Sequence, residues 1–389
     1  MERRTFFFTS AGMLRAQTSS ASRVSVGLIG SGGRGRYIMS LMKKDAAVQP
    51  VAVCDVYEPN LEAGLSEAKG AKAYRNYKKL LEDKNVDVVI IATPEHWHHR
   101  MMLDAIAAGK DIYVEKPLCQ TPEQGVELVA AAKQSRSVIQ VGTQRRSYDL
   151  YLKARDIVRK GSLGDVRMVR SWWLNNMLTP PRGTLKGPLD WEQWQGPAQR
   201  RPLDPARFFH WRFYSDYSGG VAADQGAHVY DGITMLMGTS YPVAVTASAN
   251  KTQRPGVDTP ETMVVAAEYP EDFLAVFSIN YAAMRYKLVN DQLNQFDGDR
   301  ARLDIGREHF AVYNLGSEDQ PVVRETSGGM SKASEDHVRN FLECVRTRAT
   351  PNGTVEYGFQ AVLVLQMANI SLRKGKRVRW NRSEGKIES

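Results

Sequence analysis

The chain reads as an α/β protein: an N-terminal doubly wound parallel sheet, then an α+β domain with an open, mostly antiparallel sheet. Three observations predict it. The apolar run Val24–Ile29 leads into Gly30-Ser31-Gly32-Gly33-Arg34-Gly35, and a second apolar run, VQPVAVC, ends at Asp55. Residues 23–143 alternate strand-like and helix-like patterns, as a parallel sheet covered on both faces requires. After about residue 147 the period changes to longer alternating stretches separated by turn residues.

In the first domain, strands read at RVSVGLI, VQPVAVC, VDVVIIAT, DIYVE and SVIQVG. Helices read at RYIMSLMKK, PNLEAGLSEAK, YKKLLEDK, HHRMMLDAIAAG and PEQGVELVAAAKQS. The first glycine of the cluster allows a tight turn off the strand, the second lets backbone approach a pyrophosphate, and the third lets the next helix pack closely. That helix, expected from Gly35, aims free N–H groups at the phosphates. A carboxylate at Asp55 can accept hydrogen bonds from both ribose hydroxyls, which makes this a Rossmann-type fingerprint and favours NAD over NADP. Ligands in such sheets bind beyond the strand C-termini. Asp55, Thr93-Pro94, Glu115-Lys116-Pro117 and Gln144-Arg145 all fall there.

In the second domain, DVRMVRSWWLN, PVAVTASANKT, ETMVVAAEY and FLAVFSINYA read as strands, and LNQFDGDRARLDI as a hairpin turned at Asp297-Gly298. Two late helices follow, SEDHVRNFLECVRTR with Ser334 as its cap, and GFQAVLVLQMANISLRKG. The expected division is a leader or disordered N-terminus over residues 1–22, a nucleotide-binding domain over 23–146, and a substrate and oligomerisation domain over 147–389. A Pro-, Trp- and Arg-rich irregular segment runs through residues 176–220, long enough to suggest a functional loop.

Composition sets outer bounds. At 389 residues, 42% hydrophobic and 24% charged, the chain matches a folded globular protein of two cores. A net charge of +9 favours acidic small molecules, yet nothing resembles a nucleic-acid-reading module and no apolar run approaches a membrane span. The C-terminal RKGKRVRWNR reads as a solvated edge. Cys54, Cys119 and Cys344 lack metal or disulfide spacing and read as packing residues. His96, His98 and His99 lie at a helix start without a nearby carboxylate set, so no metal site is expected.

Two constellations carry chemistry. An ammonium at Lys116, in a turn that Pro117 fixes, can stabilise a developing alkoxide. Asp224 and His228 are four residues apart, so on a helix they share a face, and the carboxylate can orient or charge the imidazole as a general base. Arg145, beside Gln144, is a candidate substrate or phosphate contact. Trp172, Trp173, Trp191, Trp194 and Trp211 offer either a sugar-stacking platform or loop anchors, with Trp172 and His210 taken as substrate-side candidates.

Taken in order, VGLIGSGGRG, the Asp55 strand end, ATPEHWH, VEKPL, VGTQRR, the glycine-led DQGAH segment and HVRNFLECV resemble a known family over residues 23–380. It is the group of oxidoreductases that includes glucose-fructose oxidoreductase, inositol dehydrogenase and the rhizopine-catabolism protein MocA. The resemblance implies a nicotinamide nucleotide held by Gly30, Ser31, Gly32, Gly33, Arg34, Gly35, Asp55, Thr93, Pro94, His98, Glu115 and Lys116. It implies that His228 takes a hydroxyl proton, Lys116 stabilises the alkoxide, and Asp224 orients substrate or histidine. The expected activity is NAD-dependent oxidation of a secondary hydroxyl of a sugar, inositol or glycoside. The rivals are a redox-assisted glycosidase and a cofactor-sensing regulator, the latter predicting loss of Lys116 or His228. The resemblance also points to a homodimer or homotetramer. Arg3-Arg4 followed by Phe6-Phe7-Phe8 resembles a twin-arginine export signal and places the protein in the periplasm, although Arg15 breaks its apolar region and no A-x-A site follows.

Overall fold

The structure is a computed structural model that describes residues 23–175, 183–252, 256–284, 291–317 and 319–388. The twin-arginine stretch and part of the irregular segment lie outside the described residues. The first sheet has six parallel strands in the order β3-β2-β1-β4-β5-β6. They are β1 (Val24–Ile29), β2 (Val48–Cys54), β3 (Lys72–Tyr74), β4 (Val88–Ile91), β5 (Asp111–Val114) and β6 (Ile139–Val141). Helices α1 (Gly33–Met42), α2 (Glu58–Glu67), α3 (Tyr77–Leu81), α4 (Glu95–Ala107) and α5 (Pro122–Gln134) connect them. β4 and β5 are buried at every position, and β4, the more central of the two, is accordingly apolar throughout, whereas β5 opens on Asp111, which is paired with Arg348. The short edge strand β3, with two exposed residues of three, carried no such signal.

A 3-10 turn over Gln144–Ser147 leads through α6 (Asp149–Arg159) into β7 (Val166–Leu174), then α7 (Trp191–Gln195), α8 (Pro205–Phe209) and α9 (Val221–Met237). Strands β8 (Ala244–Ala249), β9 (Thr262–Glu268), β10 (Leu274–Asn280), β11 (Gln292–Gly298), β12 (Ala301–Ile305), β13 (His309–Asn314) and β14 (Val323–Thr326) follow. Then come α10 (Gly329–Thr347), α11 (Val355–Lys374), β15 (Val378–Asn381) and β16 (Lys386–Glu388). They form a ten-stranded sheet, β14-β13-β12-β11-β7-β10-β9-β8-β15-β16, antiparallel except where β10 meets β7. The C-terminal basic stretch runs from the last turn of α11 through β15, next to the edge strand β16. Helix α9 covers one face of the sheet because its small residues permit close approach: a Cβ on Gly226 would lie 2.6 Å from Leu365 of α11 and 3.0 Å from Phe277 of β10.

Three expectations are corrected. The β11–β12 hairpin turns at Asp299 and Arg300, not at Asp297-Gly298. Gly298 instead sits at a register shift against β7, where a Cβ would fall 2.0 Å from the Leu163 carbonyl oxygen. Helix α10 starts five residues before Ser334, whose hydroxyl bonds back to the Met330 carbonyl at 2.9 Å rather than capping. Nor does packing follow the expected boundary. Val338, Phe341, Leu342 and Cys344 of α10 share a core with Val24, Ile38 and Tyr113, so this late helix completes the first domain. The seam is polar as well: Gln140 Nε2 donates to the His337 carbonyl at 2.8 Å and Arg346 pairs with Asp45 at 2.6 Å.

Candidate active site

A cavity of about 710 Å³ opens beyond the C-terminal ends of β1, β2, β4 and β5 and reaches the inner face of the second sheet. At Gly30 the backbone turns with φ +87°, and a Cβ would meet Ala92 backbone at 2.9 Å. Gly35 packs α1 on the turn so tightly that a Cβ would lie 2.1 Å from the Gly30 carbonyl oxygen. Gly33 has nothing within 4 Å and Gly32 only the Asn60 amide at 3.9 Å, which leaves bare backbone facing the cavity. The helix begins at Gly33, two residues earlier than expected, with no side-chain cap and no acidic residue in its first turn. Its first N–H groups and dipole are thus available to a diphosphate. These features fit a dinucleotide.

Asp55 lies on the cavity wall, held by the Tyr57 N–H at 2.9 Å and the Ser31 N–H at 2.8 Å. Burial raises its carboxyl above the usual carboxylate range, against those hydrogen bonds. Ser31 is fully buried and serves Asp55 rather than the cavity surface. Thr93 and Pro94 line the cavity, but His98 does not. Its ring braces two loops, with Nδ1 2.7 Å from the Pro117 carbonyl and Nε2 2.9 Å from the Thr93 carbonyl. The other two histidines also have local tasks. His96 is buried against the Trp194 carbonyl at 3.0 Å and pushed down to about 4 by burial, and His99 meets Glu127 at 2.8 Å. Glu115 takes the Arg34 guanidinium at 2.8 Å, tying the phosphate helix to the end of β5.

Beyond Glu115 the Lys116-Pro117 peptide is cis, and Lys116 Nζ donates to the Asp224 carboxylate at 2.9 Å and its carbonyl at 3.0 Å. Two of the three ammonium donors are so engaged, which leaves one for a ligand oxygen. Burial would raise the Asp224 carboxyl, but Arg212 at 3.1 Å and Lys116 hold it well below the usual range. Its second oxygen accepts from Gln225 at 3.1 Å. The carboxylate therefore orients the lysine, and no hydrogen bond joins it to His228 among the described residues. One turn on along α9, His228 lines the same cavity, its ring stacked 6.2 Å from Trp173. Burial first, then the neighbouring Lys116 and Arg145 charges, push its pKa well below the ordinary histidine value. A neutral imidazole and an ammonium thus border one space, as proton removal from a hydroxyl requires.

The substrate end departs from expectation in two places. Trp173, not Trp172, faces the cavity, and His210 stands off its wall near Phe213. The burial of Val169, Ser171 and Trp173 alternates along β7, so period 2 alone could have chosen between the tryptophans. Gln144 and Arg145 do line the cavity. Gln292, Arg307 and Arg212 were not foreseen. Gln292 left a trace, since QLNQF places amides on the inward face of a strand, whereas Arg212 and Arg307 lie outside any periodic pattern.

The described part of the irregular segment lines the cavity with Gln193, Trp194, Phe208 and Phe209, and packs on the loop after Asp55. The Glu58 and Asp190 N–H groups bond across to the Pro188 and Val56 carbonyls, both at 2.9 Å, and the Tyr57 hydroxyl accepts from the Lys186 N–H at 2.8 Å. Trp191 and Trp194 stack 4.8 Å apart, and the Trp194 carbonyl accepts from Trp97 of α4 at 2.8 Å.

Residues 24–143 match the family described as the GFO_IDH_MocA oxidoreductase family with an NAD-binding Rossmann fold, and residues 151–304 match the C-terminal domain of the same family. The chain belongs to this Gfo/Idh/MocA family. Its first domain is the family's NAD-binding Rossmann domain. An inositol 2-dehydrogenase of Salmonella typhimurium is 32% identical over 165 residues, 42% of this chain and 48% of that protein. The chain thus spans about half the length of the inositol 2-dehydrogenases it matches. A trans-1,2-dihydrobenzene-1,2-diol dehydrogenase of Macaca fascicularis is 25% identical over 67% of each chain. In fold, levoglucosan dehydrogenase in complex with NADH and levoglucosan aligns with a TM-score of 0.75 at 18% identity, covering 92% of this chain and 99% of that one.

Proposed function

We propose that this family member is an NAD-dependent dehydrogenase that oxidises a secondary hydroxyl of a sugar, inositol or glycoside. The observation that carries it is the convergence of neutral His228 and the Asp224-held Lys116 on the cavity that begins at the glycine turn. NAD, when bound, supplies the hydride acceptor. His228 takes the hydroxyl proton and Lys116 donates to the oxygen as it gains negative charge, so the alcohol loses a proton and a hydride and leaves as a ketone. Asp224 keeps Lys116 in place and neutralises it in the resting enzyme. A cofactor-sensing regulator would need neither Lys116 nor His228. The test is the nucleotide content of the purified protein, followed by a sugar and polyol screen at the absorbance of reduced nicotinamide. No reduction with any sugar or polyol would refute the reading.

The same proposal includes assembly and location. The outward face of β9 exposes Val264 by 44%, and an open sheet of this kind is suited to pairing with a second copy as a homodimer or homotetramer. A monomer by light scattering at micromolar concentration, with activity retained, would refute it. Arg3-Arg4 supports export to the periplasm by the twin-arginine route, tested by fractionation of cells expressing the full chain beside an Arg3→Lys, Arg4→Lys variant.

A further inference from the structure

Arg145 is 2% exposed, lines the cavity beside His228, and has no carboxylate partner among the described residues. Its guanidinium donates to the His228 carbonyl at 3.2 Å and to the side-chain oxygen of Gln292, and lies 5.2 Å over Tyr151 and 5.8 Å over Trp173. These are neutral contacts, and Nε finds no acceptor. The adjacent arginine shows the contrast: Arg146, also buried, has Asp231 at 2.5 Å. Arg145 feels Asp231 only at a distance, through a carboxylate already bonded to Arg146, and a buried ion so weakly compensated is costly, so this guanidinium on a cavity wall calls for a charge from outside.

The rest of the wall points the same way. Lys116 and Arg212 share the single carboxylate of Asp224, and Arg307 holds Asp291 at 2.8 Å. With Arg145, these described residues at the substrate end set four cations against two carboxylates. Polar groups await partners there too. Arg145 fixes the Gln292 amide by its oxygen, and the buried Gln292 Nε2 and Gln144 Oε1 have no partner among the described residues.

We propose that the substrate carries an anionic oxygen group, a carboxylate or a phosphate, that is drawn to Arg145 and Arg307 while its reacting hydroxyl lies between His228 and Lys116. This deepens the dehydrogenase reading and rests on it. The preferred class is then a sugar acid or sugar phosphate rather than a neutral polyol.

The test uses matched pairs on the nucleotide-loaded full chain: glucuronate against glucose, galacturonate against galactose, and glucose 6-phosphate against glucose. A charge-assisted contact predicts kcat/KM roughly tenfold or more higher for the anionic member, with the excess lost in Arg145→Met. Preference for uronates identifies the carboxylate as the source, and preference for the phosphate ester the phosphate. Should Arg145→Met fail to fold, Arg307→Met replaces it with the same expectation. Equal or better use of the neutral members would overturn the inference and leave the dehydrogenase reading intact. Absence of hydride transfer with every pair, and with every sugar and polyol of the wider screen, would overturn the dehydrogenase reading instead. Thermal shift with the same pairs judges the anion preference without turnover: stabilisation by the anions alone supports it, and no difference within the pairs overturns it.

Discussion

Replacing Lys116 by Met removes the ammonium and keeps most of the side-chain volume, so three separate effects are expected. Transition-state charge on the substrate oxygen loses its donor, and loss of one such donor costs about 10²–10³ in turnover. Stability falls by less than the ~3–5 kcal/mol of a fully broken buried pair, because Asp224 keeps Arg212 at 3.1 Å and Gln225 at 3.1 Å. The third effect concerns His228. After burial, Lys116 is the foremost influence that lowers its pKa, so in the variant that pKa rises. A general base acts unprotonated, and the acidic limb of the pH–rate profile therefore moves to higher pH, toward the free-histidine value of about 6.5. Single-turnover nicotinamide reduction across pH, with thermal melts and nucleotide affinity alongside, separates the three. Near-normal turnover, or an acidic limb that stays or moves down, would refute the assignment of Lys116 beside His228.

Other expectations follow from the same geometry. His228→Ala should lower turnover by about 10²–10⁴ and abolish the acidic limb while nucleotide affinity stays near wild type; a retained limb would refute His228 as the base. NAD should bind at least about tenfold more tightly than NADP, because the Asp55 carboxylate repels a 2′-phosphate, as paired titrations will show. His96 and His337 are pushed down by burial to about 4, so unfolding lets them take up protons: their contribution is complete above about 6.5 and is lost as pH falls toward 4, by a few kcal/mol each. Glu95, pushed up by burial to about 8, works in the opposite sense, its contribution complete below about 4.5 and lost as pH rises toward 8. Melts of Glu95→Gln should therefore gain on wild type at pH 8 and converge with it near pH 4.

How far the fold was legible depended on how each residue is used. The continuous β-branched run in β4 has no solvent face to confuse the pattern, and the glycine cluster spells out a backbone conformation that side chains cannot adopt. Gly298 misled because a glycine beside an aspartate suits a tight turn and a close backbone approach equally well, and only the position of Leu163 decides. The motif carriers Lys116, Asp224 and His228 converge on one site as their spacing and family resemblance imply, but their pairing did not show in the chain. A spacing of four puts Asp224 near His228, whereas the carboxylate is claimed by Lys116, 108 residues away. Long-range claims of that sort, like those of Arg212 and Arg307 on the cavity, arise from tertiary packing and leave no local period.

Helix α10 has a consequence for how the molecule is made. The core it shares with Val24, Ile38 and Tyr113 joins the first strand of the chain to residues that the ribosome delivers about three hundred positions later. Until Val338, Phe341 and Leu342 emerge, one flank of the nucleotide-binding sheet stays open, with its apolar face uncovered through most of synthesis. A fragment ending at residue 146 would carry every glycine of the fingerprint and still lack a finished interior. The dinucleotide module of this protein is therefore contiguous in its motifs and discontinuous in its folding, and swapping it into another chain would require its C-terminal helix to travel with it.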